Sequence, residues 1–216
     1  VREVKRQNKL SLLKRLNNDF MGSQLFSDGK WLEEGTGFSA AVTGNTGRQF
    51  KLIGGIDPKY IQMLEKGEDV PMFVSWGRGN FQKGMDTGLE AFEKFVRKTK
   101  NTNSIYIFGG DMKNLPEVVK LTKELTQDPL FKGRILLLDG WTPGGSFAAA
   151  GDYASLCSRF APCELTDLEA MKKGCVPIVP KVQGMDQKVF GPADAEHSKD
   201  VNGYKGKHEY YMTEAD

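Results

Sequence analysis

CSRFAPCELTDLEAMKKGCVPIV, residues 157–179, joins the end of one apolar segment to a Pro-Cys turn, a helix opened by acids and a second apolar segment. A strand, a helix and a strand in so short a run predict a crossover unit, because parallel strands need a long connection and the helix supplies it. The same rhythm extends upstream. MFVSW (72–76), SIYIF (104–108), RILLL (134–138), YASLC (153–157) and CVPIV (175–179) are apolar runs of strand length. Between them, DTGLEAFEKFVRKTK (86–100) places Leu89, Phe92, Phe95 and Val96 on one helical face. LPEVVKLTKELTQ (115–127) does the same with Leu115, Val118, Val119 and Leu125. The alternation predicts an α/β fold, a doubly wound and mostly parallel sheet with helices on both faces.

The flanks read differently. Residues 1–50 are expected to form an N-terminal helix and loop region with the character of an interdomain segment, 51–185 the sheet domain, and 186–216 an exposed C-terminal tail. REVKRQNKLSLLKRLN (2–17) predicts a basic amphipathic helix with a solvated charged face. GTGFSAAVTGNTGRQF (35–50) has no helical period and predicts a loop or short hairpin.

With 216 residues the chain can bury one sizeable core. Its 30 basic and 28 acidic residues nearly cancel, which argues against nucleic acid or an acidic surface as a partner. No apolar run approaches the roughly 18 residues that span a bilayer, so no membrane role is expected. Cys157, Cys163 and Cys175 form no Cys-x-x-Cys pair and lie far in sequence from His197 and His208. Neither a disulfide framework nor a zinc site is indicated, and a reducing, cytoplasmic compartment fits best. The opening VREVKRQNKL has no initiator Met and no signal-peptide core, so the chain is expected to begin inside a longer one.

Ligands of open parallel sheets bind beyond the carboxyl ends of the strands, and three loops there are equipped for it. SWGRGNFQKG (75–84) combines glycines with Arg78 and Lys83 just before a helix beginning near Asp86. No Gly-Lys-Ser/Thr follows, so it is not a P-loop. It is either a diphosphate clamp of two cations five residues apart or a glycine turn with two solvated cations. FGGD (108–111) ends a strand on Gly109 and Gly110, which permit close backbone approach. DGWTPGG (139–145) sets Trp141 past a strand end, to stack on a base or to cover the core edge.

SRFAPCELTDLEAMKKGCVPIV together with RGNFQKGMDTGLEAF resembles the donor-binding half of the GT-B glycosyltransferases, most closely the glycogen and starch synthases. In that family the turn reads Ser-Arg-Phe-Glu-Pro-Cys-Gly-Leu and the upstream loop ends in Gln-Lys-Gly. IGGIDP (53–58) looks like the family's Asn-Gly-Ile-Asp segment preceding the first strand. The resemblance implies a Rossmann-like domain that binds a nucleotide-diphospho-sugar, ADP-glucose or UDP-glucose. The intact enzyme would pass glucosyl units to an α-glucan with retention, holding the acceptor on a missing N-terminal domain. Arg78 and Lys83 then stand where the family grips the donor diphosphate, which implies no cofactor and no metal. Trp141 falls near the aromatic beside the nucleobase, and the amides of Leu165 and Thr166 at the distal phosphate. Glu169 falls where a carboxylate accepts the ribose hydroxyls, unless it serves only as an i,i+4 partner of Lys173.

Two departures oppose these matches. Ala161 occupies the position of the first Glu of the family turn and cannot bond a sugar hydroxyl. Glu164 replaces the Gly at the helix mouth, where its carboxylate competes with phosphate. At about 5 Å and an effective dielectric of about 20, each like-charge pair there costs roughly 3 kcal/mol. Alternatively Glu164 reaches back toward the sugar in place of the carboxylate lost at Ala161. The departures support a second reading, a degenerate, inactive domain kept as a structural, glucan-binding or protein-binding module.

Overall fold

The computed structural model describes residues 2–16, 51–140, 142, 144–191 and 201–205. The loop or hairpin expected at 35–50, and Trp141, His197 and His208, lie outside the described residues. A seven-stranded sheet runs through the molecule: β1 (Lys51–Ile56), β2 (Met72–Trp76), β3 (Ile105–Gly110), β4 (Arg134–Asp139), β5 (Tyr153–Ser155), β6 (Val176–Val179) and β7 (Tyr204–Lys205). Their spatial order is β1-β4-β3-β2-β5-β6-β7. All neighbours are parallel except β1, which runs antiparallel to β4 on the edge. The expected doubly wound sheet is therefore present.

Period-two alternation divides the central strands between two cores. Ile105 and Ile107 of β3 face one way with Leu136 and Leu138 of β4. Tyr106 and Phe108 face the other way with Ile135 and Leu137. Helices α3 (Met85–Thr99) and α4 (Pro116–Gln127) cover the second face through Leu89, Phe92, Val96, Val118 and Leu125. Pro116 opens α4, where its missing N–H costs nothing. Phe95, expected on the buried face of α3, is 36% exposed, its ring set 5.5 Å from that of Phe73.

The other face is covered by α1 (Arg2–Arg15), α2 (Lys59–Glu65), α5 (Gly144–Ala150), α6 (Thr166–Lys172) and α7 (Gln183–Lys188). The segments set apart in sequence both enter this domain. Helix α1 buries Leu10, Leu12 and Leu13 in the core; Arg2, Lys14 and Arg15 are exposed as expected, whereas Lys5, Arg6, Asn8 and Lys9 turn inward. Lys5 donates to the Ala148 and Gly151 carbonyls, Asn8 to Ala149, Arg6 to Leu64, and Lys9 to Val70. The Ala148, Ala149 and Gly151 carbonyls lie at the end of α5, where helical partners run out. Residues 204–205, expected in an exposed tail, add β7 to β6. The 53–58 segment, expected to precede the first strand, lies largely within β1 itself. Among the described residues no helix is long and apolar enough to cross a membrane.

Candidate functional site

The strand order decides where a site can be. From β2 the chain winds outward through β3 to β4, then returns to place β5 on the opposite side of β2. The carboxyl ends of β2 and β5 thus diverge at a topological switch point, where open sheets leave a crevice. The loop after β2 carries Arg78 and Lys83, and the turn after β5 carries Ala161 and Glu164. Two motifs far apart in sequence are brought side by side by this one pairing.

The loop glycines serve the fold. A Cβ on Gly79 would lie 1.7 Å from the Asp111 carbonyl oxygen, and one on Gly84 would lie 1.9 Å from that of Cys157. Gly84 also adopts left-handed backbone, φ 58°. The loop is thereby wedged between the exits of β3 and β5. Gly109, expected to let backbone approach a ligand, instead admits the Thr142 methyl, which a Cβ would meet at 2.0 Å.

A second tie fixes the same loop. Arg159 forks onto Asp86 at 3.0 and 2.6 Å, donates to the Thr87 hydroxyl at 3.1 Å and to the Phe81 carbonyl at 2.8 Å. Its guanidinium also lies 4.0 Å over the Phe81 ring. The Arg159 amide donates to the Gln82 carbonyl and the Gln82 side chain to that of Phe160, both at 2.8 Å. Burial alone would raise the Asp86 carboxyl, but the Arg159 and Thr87 hydrogen bonds outweigh it and hold it below its ordinary value.

The sequence-predicted residues divide accordingly. Lys83 reaches across the crevice and forms a close ion pair with Glu164; their side chains are 15% and 7% exposed. Ser158 donates to the same carboxylate oxygen at 3.3 Å. The other oxygen accepts from the Thr166 hydroxyl and, at 3.4 Å, from the Thr166 amide. Burial pushes the Glu164 carboxyl up, while the bonds from Lys83 and Thr166 together hold it below its usual range. Lys188 donates to the Glu164 carbonyl and, at 3.0 Å, to the fully buried Asp167. Arg78 is exposed, and its side chain has no ion pair or hydrogen bond among the described residues. Leu165 is 64% exposed.

Glu169 makes no ion pair with Lys173; its Oε2 accepts from the Trp76 indole at 3.4 Å. Ala161 is buried in the core at 2% exposure, its amide bonded to Gln183 and its carbonyl to the Gly184 amide. Trp76, Ser158, Arg159 and Lys188 are the residues sequence reasoning missed. Trp76, Ser158 and Arg159 lie within or beside the quoted motifs, whereas nothing in the sequence ties Lys188 to Glu164.

No family model matches the chain. It is 32% identical over 133 residues to a glycogen synthase of Rhizobium etli, covering 61% of this chain and 25% of that protein. The catalytic domain of starch synthase IV from Arabidopsis thaliana, bound to ADP and acarbose, superposes with a TM-score of 0.50 at 21% identity. That match covers 65% of this chain and 29% of the other. The C-terminal domain of a group 1 glycosyl transferase from Francisella tularensis superposes with a TM-score of 0.50 at 20% identity, covering 71% of this chain and 76% of that domain. The chain therefore carries the Rossmann-like fold found in GT-B glycosyltransferases. Its sequence is homologous to the glycogen and starch synthases, of which it spans about a fifth to a quarter of the length.

Proposed function

We propose that this chain is the donor-binding domain of a retaining glycosyltransferase of the glycogen and starch synthase kind. Its ligand is a nucleotide-diphospho-sugar, and the whole enzyme moves the glucosyl carbon from the diphosphate oxygen to a hydroxyl of an α-glucan. The observation that carries this reading is the convergence of the Lys83 loop and the Glu164 turn on one switch-point crevice. Arg78, exposed on the same loop, and Lys83 within the crevice would neutralise the leaving diphosphate as charge develops there. Glu169, with Oε2 on the Trp76 indole, keeps Oε1 to accept a ribose hydroxyl. The acceptor glucan would be held by chain beyond these 216 residues. The free thiols of Cys157, Cys163 and Cys175 suit a cytoplasmic protein. The ADP in the starch synthase neighbour supports the ligand class.

A second reading, an inactive domain kept as a structural, glucan-binding or protein-binding module, is favoured by two observations. Lys83 is already neutralised by Glu164, and Ala161 is buried where the family turn carries a carboxylate. Calorimetric titration with ADP, UDP and their glucose conjugates separates the two. Donor binding is expected to be weak and to vanish in the Arg78→Ala, Lys83→Ala double variant. Absent binding, or binding indifferent to both substitutions, would leave the second reading.

A further inference from the structure

We propose that Lys83, Ser158 and Thr166 form a complete phosphoryl-binding cradle in which the Glu164 carboxylate is a resident anion. The donors come from separate parts of the fold: an ammonium from the β2–α3 loop, a hydroxyl from the β5–α6 turn, and a hydroxyl and amide from α6. All four meet on one carboxylate. Lys83 and Ser158 share Oε2, while the Thr166 hydroxyl and amide share Oε1. An ionised carboxylate offers about four lone-pair sites, so this one is saturated. The remaining hollow, bounded by Trp76, Lys83, Ser158, Glu164 and Thr166, measures about 10 Å³. That is room for one water at most, and none for a phosphoryl group while Glu164 is inside.

The cradle does not need this carboxylate for its shape. Ser158 is 2% exposed and set by the β5 exit, Lys83 by the Arg159 ties, and Thr166 by α6. Lys188 anchors the Glu164 carbonyl, so the side chain is the part that must leave. Glu164 is in this sense the specificity determinant of the crevice. While it is inside, the charges of Lys83, Glu164, Lys188 and Asp167 cancel, and of the two cations of the β2–α3 loop Arg78 alone is left unneutralised among the described residues. Once it is out, an ammonium and two hydroxyls face an anion. The inference rests on the donor-binding reading for the source of the phosphoryl group, and on the geometry alone for the cradle.

The test is calorimetry with inorganic pyrophosphate and, separately, ADP on wild type, Glu164→Gln, Glu164→Ala and Glu164→Gln with Lys83→Ala. Circular dichroism of each variant confirms folding, and the alanine variant serves if the glutamine one fails. Removing the carboxylate is expected to tighten pyrophosphate binding at least tenfold, with the gain abolished by Lys83→Ala. Pyrophosphate binding no tighter than wild type in a folded variant overturns the proposal, as does a gain that survives Lys83→Ala. A gain for pyrophosphate without one for ADP keeps the cradle and removes the nucleotide reading. Lys83-dependent ADP binding that is indifferent to residue 164 keeps the nucleotide reading and removes the resident anion.

Discussion

Two of the shielded lysine–carboxylate pairs lie at opposite ends of the same sheet, and they are put to different uses. At the amino end Lys9 meets Asp152 at 2.6 Å, with side chains 4% and 26% exposed. At the carboxyl end Lys83 meets Glu164. Lys9 also donates to the Val70 carbonyl, and Asp152 accepts the amide of Met72, so that pair completes the backbone entering β2. Glu164 takes up the Ser158 hydroxyl of the β5–α6 turn and the Thr166 hydroxyl and amide of its helix mouth, none of which joins strands. The amino end even has the larger void, about 450 Å³ beside α1. Its Lys5, Arg6 and Lys9 are spent on carbonyls and acids, so volume and charge together do not make a site there.

Replacing each pair by apolar residues breaks the comparison if it is wrong. Lys9→Met with Asp152→Leu orphans the Val70 carbonyl and the Met72 amide, each costing about 1–3 kcal/mol when buried. A loss near 4 kcal/mol is expected by urea unfolding. Lys83→Met with Glu164→Leu orphans two hydroxyls that can turn elsewhere and one amide at the helix mouth. Replacing a buried ion pair by apolar groups is often neutral, so a change within about 1 kcal/mol is expected. Equal losses at the two ends would mean that the Glu164 pair is as structural as the Asp152 pair.

The next effect is smaller and confined to one end. Lysine cannot reproduce the fork of Arg159 onto Asp86 while also reaching the Phe81 carbonyl. Arg159→Lys is expected to cost about 2 kcal/mol, and to speed hydrogen exchange at Gln82, Lys83 and Gly84 while leaving α1 protected. Faster exchange in α1 as well would show a global loss of stability instead of a loosened loop.

These contrasts also mark how far the sequence could be read. The central strands and α3 and α4 were legible because periods of two and 3.6 persist over whole elements, and both faces of β3 are fully buried. The edge strand β1 was not, since its register is fixed by β4, whose partners lie 78 to 88 positions away. Helix α1 shows a basic face in sequence, but which carbonyls its lysines would reach depends on α5 packing beside it. In sequence, Gly109 and Gly110 suggest close approach of the backbone to a ligand. A missing Cβ says only that something comes close, and here it is the Thr142 methyl and the Gly77 carbonyl. Glu164 was legible as a competitor for phosphate, whereas its partner Lys83 lies 81 positions away and had to be supplied by the β2–β5 pairing.

The smallest expected effect is in acid. Asp86 and Glu164 both sit at the carboxyl end, and both have native values below the ordinary 3.8 and 4.5. A carboxyl lowered on folding contributes stability that is complete above its unfolded value and drains as the pH falls through its native one. Wild type is therefore expected to lose unfolding free energy as the pH falls below about 4.5, through the range where these two groups protonate. Glu164→Gln removes one of the two titrations. It is expected to start lower at neutral pH and to fall less steeply, so the two curves converge in acid. Curves that stay parallel would mean that Glu164 gains nothing from Lys83 and Thr166 on folding, and the contrast between the two ends of the sheet would then rest on the backbone contacts of Asp152 alone.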